Sequence, residues 1–156
     1  MAIKVRMADE LDVPALVALG RAMHAESPRF SGVEFSESKV IDTTRELLRN
    51  PWSLVLVAER DGAVIGMIAG MVTEYFFGFE RYAFDLVFFV SQEHRGSSAA
   101  VRLLSEWDRV LAEDGHVREA VLGISTGVNA ERTQRLYERL GYRESGSILV
   151  KDFNKR

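Results

Sequence analysis

Arg60-Asp61-Gly62-Ala63 lies between two apolar runs, Trp52 to Glu59 and Val64 to about Glu74, and it dictates how the middle of the chain folds. An Asp-Gly pair accepts the positive φ angles of a type I′ turn, so the two runs are predicted to double back as a long antiparallel hairpin. A third apolar run, Tyr82 to Val90, reads as a central strand. At the amino end Ile3, Val5 and Met7 alternate with Lys4 and Arg6, the period of a short strand with one buried face. Two helices should fill the gap before the hairpin. The first is capped by Asp9 or Asp12, carries Pro14 in its first turn, buries Val13, Leu16, Val17, Leu19 and Met23, and ends near Glu26. The second opens at Ser36, turns Val40, Ile41, Leu47 and Leu48 inward, and stops at Asn50-Pro51. Between them, Ser27 to Glu37 has loop composition, with Phe30 and Phe35 as apolar anchors.

Beyond the central strand the pattern alternates. Ala100, Leu103, Leu104, Trp107, Val110 and Leu111 recur at helical spacing up to Gly115, Val117 to Ile124 reads as a strand, and Asn129 is placed to cap a helix reaching Leu140. Gly141 serves as its left-handed stop, and a last strand or pair of strands is expected from Tyr142 to Phe153. The order βααβββαβαβ defines an α/β chain, more closely an α+β mixed sheet. Its 156 residues contain no repeat or linker-like stretch, so one domain over residues 1–156 is expected.

Composition removes several function classes. With 23 acidic against 20 basic residues the chain has no positive field for nucleic acid. The absence of cysteine excludes a disulfide framework, a thiolate metal cage and a cysteine nucleophile. His24, His94 and His116 show no ligand spacing, so no metal is expected. Charges interrupt the first ten residues, and Ala63 to Val72 falls short of the roughly 18 apolar residues of a membrane span. A cytoplasmic protein with no membrane partner is the expectation.

Two segments carry chemistry. Arg95-Gly96-Ser97-Ser98-Ala99-Ala100 joins a strand to a helix through small residues, where an anion can approach the helix's unpaired N–H groups. Arg95 would add charge and Ser97 and Ser98 hydroxyl donors; the same spacing equally suits an ordinary serine-capped helix. It is neither a P-loop nor a dinucleotide fingerprint, since the lysine of one and the further glycines of the other are missing. In the later helix Ala130, Thr133, Tyr137 and Leu140 share a face, which alone is consistent with a packed phenol.

Taken together, these segments resemble the GCN5-related N-acetyltransferase superfamily over almost the whole chain, from about Ile3 to Phe153. Arg95, Ala99 and Ala100 match its acetyl-CoA turn, Arg/Gln-x-x-Gly-x-Gly/Ala, with Ser98 in place of the middle glycine; Asn129, Leu136, Tyr137, Gly141 and Tyr142 match its later helix. Arg6-Met7-Ala8-Asp9 and Asp12 to Leu16 are similar to its opening strand and helix. The resemblance implies a central, mostly antiparallel sheet splayed at a cofactor cleft, with acetyl-CoA as co-substrate and direct transfer to a primary amine. The backbone of Phe88, Phe89 and Val90 would meet the acetyl and pantetheine groups, Gly96 to Ala100 the pyrophosphate, and Asn129 the pantetheine arm or the tyrosine. Tyr137 is the expected general acid, and Glu74, Glu80 and Asp85 are candidates for the amine's base. The acceptor is a small-molecule or protein amine, and a homodimer is expected; Phe76, Phe77 and Phe79 are candidates to line the acceptor pocket or to contact a second subunit, and equally suit core packing. Two other readings keep the same turn: a non-catalytic acyl-CoA sensor or scaffold component, and a module binding a different nucleotide.

Overall fold

The computed structural model describes residues 2–153. Five strands form one sheet in the order β1 (Lys4–Met7), β2 (Ser53–Arg60), β3 (Ala63–Glu74), β4 (Arg81–Val90) and β5 (Val117–Val121). The first four are antiparallel, and β5 alone runs parallel to its neighbour. The hairpin turn forms as expected, with Asp61 at φ 53° and Gly62 at φ 78°. Among the described residues four α-helices flank the sheet: α1 (Val13–Glu26), α2 (Glu37–Arg49), α3 (Ala99–Asp114) and α4 (Ala130–Arg139). Among the described residues no helix is long and apolar enough to cross a membrane.

Strand alternation divides the core into two layers. Leu54, Leu56 and Ala58 of β2 face α3, where they pack with Leu103, Leu104 and Trp107; Val55 and Val57 face the other way, against Leu16 and Leu19 of α1. Burial on both faces explains why the hairpin reads as continuous apolar sequence rather than as an alternating one. The 3-10 turn Glu10–Asp12 that leads into α1 is fixed by a reciprocal cap. The Asp9 carboxylate accepts from the Leu11 N–H, the Asp12 carboxylate accepts from the Asp9 N–H at 2.9 Å, and Arg6 holds Asp12 through two bonds of 2.8 and 2.9 Å.

Three expectations need correction. No strand forms from Tyr142 to Phe153: the segment pairs with no described strand, Ser145-Gly146-Ser147 interrupts it, and Leu149 is 93% exposed. A strand needs a neighbour for its N–H and C=O groups, which an apolar run alone does not provide. β5 ends at Val121 rather than Ile124, because the following backbone turns toward a side chain of β4 instead of another strand. Asn129 precedes α4 in the left-handed region, φ 45°, and makes no capping bond with its side chain.

Candidate active site

β4 and β5 pair only from Arg81↔Val117 to Phe84↔Val121. Beyond that point β4 continues to Val90 while the chain after β5 leaves it, so one edge of β4 loses its partner and a V opens. Asp85 stands at the fork, where its carboxylate accepts the Gly123 N–H at 2.8 Å. A bulge on β4 assists the parting: Val87 pairs with Ala69 and Asp85 with Gly70, leaving Leu86 as the extra residue and bending the strand.

The V is a cavity of about 500 Å³. One wall is β4 from Asp85 to Val90 and the turn His94 to Ser97, the other residues 123–126, and α4 closes the far side with Asn129, Thr133 and Tyr137 among its lining. Of the residues expected to bind the cofactor, Phe88, Phe89, Val90, Arg95, Gly96, Ser97, Ala100 and Asn129 line this cavity. Ser98 and Ala99 do not. Ala99 is wholly buried in the α3 core, and the Ser98 hydroxyl turns away to accept from the Arg102 Nε at 3.1 Å. The serine that replaces the motif glycine therefore leaves the turn's inner side clear. Gly96 takes φ 87°, a conformation glycine adopts without a steric penalty.

Two further polar side chains of the turn have internal partners. The Ser97 hydroxyl donates to the His94 carbonyl at 2.6 Å and accepts from the Ala99 N–H at 3.3 Å. Arg95 forms a two-pronged ion pair with Glu26 at the end of α1, one prong at 2.7 Å, donates to the Val90 carbonyl at 3.2 Å, and stacks on Phe89 at 5.2 Å. Its charge ties α1 to the end of β4 and is not free for a phosphate. The next residue grips the opposite arm: Ser27, 1% exposed, donates to the Thr126 carbonyl at 2.5 Å.

Arg95 holds the Glu26 carboxyl below its usual 4.5 chiefly by hydrogen bonding. A depressed carboxyl stabilises the fold at pH above its unfolded value and loses that contribution as pH falls through the lower folded value. Glu26→Gln should therefore flatten the acid limb of the unfolding midpoint below pH 4.5, measured by thermal melts from pH 6 to 3. An unchanged limb would show that the pair contributes nothing.

Tyr137 is buried between Phe88 and Tyr142, with ring centroids 6.0 and 5.9 Å away. Its hydroxyl makes no hydrogen bond among the described residues, and burial, followed by the charge of Asp85, raises its pKa well above the phenol's usual 10. Desolvation likewise raises Asp85, against the opposing bond from Gly123. The two groups share the cavity. The structure does not bring Glu80 or Glu74 there: Glu80 accepts from Arg118 at 3.0 Å on the exposed β3–β4 connection, and Glu74 borders a separate shallow groove with Trp52 and Tyr82. His94 lines the cavity, its Nδ1 2.8 Å from the Ser91 hydroxyl. No group of three or more His, Asp or Glu suited to a metal occurs among the described residues. Sequence reasoning missed Arg132, Arg135 and Arg139, which line the cavity from α4; their spacing of three and four was the available signal.

The sheet thus forks beside a strand-to-helix turn and leaves a cavity between the parted strands, an arrangement that comparison with known proteins assigns to a family. The family model described as the acetyltransferase (GNAT) domain matches residues 51–144, and the chain belongs to this family. No curated protein sequence matches it. Among solved structures it is similar to AAC(6')-Iy in complex with the bisubstrate analogue CoA-S-monomethyl-acetylneamine, at TM-score 0.77 and 18% identity over 100% of this chain and 99% of that one. A predicted acetyltransferase with acetyl-CoA from Clostridium acetobutylicum aligns at TM-score 0.76 and 16% identity, over 97% and 96% of the two chains. An aminoglycoside acetyltransferase from an uncultured soil metagenomic sample aligns at 0.72 and 20%, over 100% of both. These likenesses show the fold.

Proposed function

We propose that the protein transfers an acetyl group from acetyl-CoA to a primary amine by direct attack. The observation that carries this reading is the company in the cavity: an unpartnered β4 edge, a tyrosine hydroxyl without a partner, and a carboxylate of raised pKa at the fork. Acetyl-CoA supplies the activated acetyl group as substrate. Free N–H groups of β4 are suited to polarise the thioester carbonyl as charge builds on its oxygen, and the first turn of α3 offers amides to the pyrophosphate.

The amine nitrogen forms a bond to the carbonyl carbon and the C–S bond breaks. Tyr137 gives its proton to the departing thiolate, which its raised pKa suits because it stays protonated at neutral pH. Asp85 takes the amine's proton through water. It is the only one of the three candidate carboxylates that reaches the cavity.

The base assignment fixes the pH dependence. A base must be ionised, so kcat/KM should fall as pH drops through the raised Asp85 pKa, earlier than for an ordinary aspartate. Asp85→Asn keeps an oxygen for the Gly123 N–H; it should lower kcat by about 10² or more and remove the acid limb, with CoA affinity retained. A variant that keeps both rate and limb would exclude Asp85 as the base.

The reaction itself is tested by thiol release from acetyl-CoA across a panel of amines, including polyamines, aminoglycosides, amino acids and peptide amino termini. Release that depends on one amine class supports the enzyme. Binding of acetyl-CoA with no amine-dependent release would mark a sensor instead. The aromatic cluster Phe76, Phe77 and Phe79 and the apolar run Ile148 to Val150, all exposed, support a homodimer, for which sedimentation at micromolar concentration is the check.

A further inference from the structure

Arg95 is neutralised by Glu26, so the arginine that opens the phosphate turn adds little net charge to the cavity, and Arg102 of the first α3 turn is bonded to Ser98 outside the lining. Acetyl-CoA carries, besides its diphosphate, a 3′-phosphate monoester of about −1.5 to −2 at neutral pH. Its countercharge must come from elsewhere in the cleft. α4 presents Arg132, Arg135 and Arg139 to the same cavity, at positions three, four and seven apart and hence on neighbouring turns of one face. None of the three makes a hydrogen bond or ion pair among the described residues, whereas the nearby Glu138 carboxylate accepts from Gln134 at 3.0 Å. Among the described residues, Asp85, at the fork, is the only acidic one in the lining.

We infer that this arginine face binds the 3′-phosphate of the cofactor and makes the protein select CoA over 3′-dephospho-CoA. The diphosphate is suited to the amides at the start of α3. A compact dianion held by several guanidinium groups accounts for three unpartnered arginines on the facing helix. The inference rests on the acyl-CoA reading of the cleft and adds the residues that recognise the nucleotide end.

The test is calorimetric titration of CoA and 3′-dephospho-CoA into the wild-type protein, the three single Arg→Gln variants and the triple variant, with a thermal melt of each. The wild type should prefer CoA by about tenfold or more. The triple variant should bind CoA only as well as the dephospho form while its affinity for the latter stays within about twofold, and Arg135→Lys should restore part of what Arg135→Gln loses. The preference should also shrink as salt rises, as for any exposed charge pairing. Equal wild-type affinity for the two nucleotides, or equal weakening of both in the triple variant, would overturn the inference while leaving the cleft's reading intact. Binding of neither by the wild type would remove both.

Discussion

Tyr137→Phe should lower kcat by about 10² to 10⁴ while the KM for acetyl-CoA stays within about twofold. The substitution removes only an oxygen. The ring keeps its packing against Phe88 and Tyr142, and because the hydroxyl has no partner among the described residues, its loss should leave the melting temperature nearly unchanged. Steady-state kinetics with the best amine of the panel, paired with a thermal melt, separates the two effects. A fall in rate accompanied by a matching fall in stability would assign Tyr137 to the core rather than to the chemistry. An unchanged rate would remove it as the acid.

The second large effect is on stability. A Cβ added at Gly70 would lie 2.1 Å from the Phe84 carbonyl oxygen and 2.5 Å from the tip of the Trp107 ring. Neither can move cheaply, since the carbonyl belongs to β4 beside its bulge and Trp107 is 0% exposed. Gly70→Ala should therefore cost about 3 kcal/mol or more, a fall in Tm of about 10 °C for a chain of this size. Gly78→Ala, where an added Cβ meets nothing within 4 Å, serves as the control and should shift Tm by no more than about 2 °C. If Gly70→Ala melted with the wild type, the close approach of β3, β4 and α3 that supports the fork would be wrong.

What the sequence made legible were the features set by neighbours in the chain. Asp61-Gly62 specified its turn because both residues accept positive φ, and Ser36 caps α2 with its hydroxyl 3.4 Å from the Lys39 N–H. The junction at Gly96 and the buried stripe of α3 were likewise readable from spacing, since Leu103, Leu104 and Trp107 recur with the helical period. Pairings between distant residues were not legible. Glu26 and Arg95 stand 69 positions apart, and no local pattern says that the turn's arginine is neutralised by the end of α1. Ser27 and Thr126 are still further separated, yet they bind the arms of the cleft together.

The carboxylates illustrate the same limit. Glu74, Glu80 and Asp85 are close in sequence, but strand alternation and the β4 bulge send only Asp85 into the fork. The arginines of α4 carry no apolar period, so sequence alone does not say which side of that helix meets the cavity. Ile148 to Val150 fits a strand in composition, but pairing depends on a neighbouring edge, a property of the whole fold rather than of the segment.

In the proposed reaction the parted edge of β4 and the first turn of α3 receive acetyl-CoA. Amide hydrogen exchange with and without saturating acetyl-CoA tests it directly. Slowed exchange at residues 88–90 and 96–101, with β1 and β2 unaffected, is the predicted result. Unchanged exchange at those amides despite bound acetyl-CoA, or protection confined to the groove beside Trp52 and Tyr82, would contradict it.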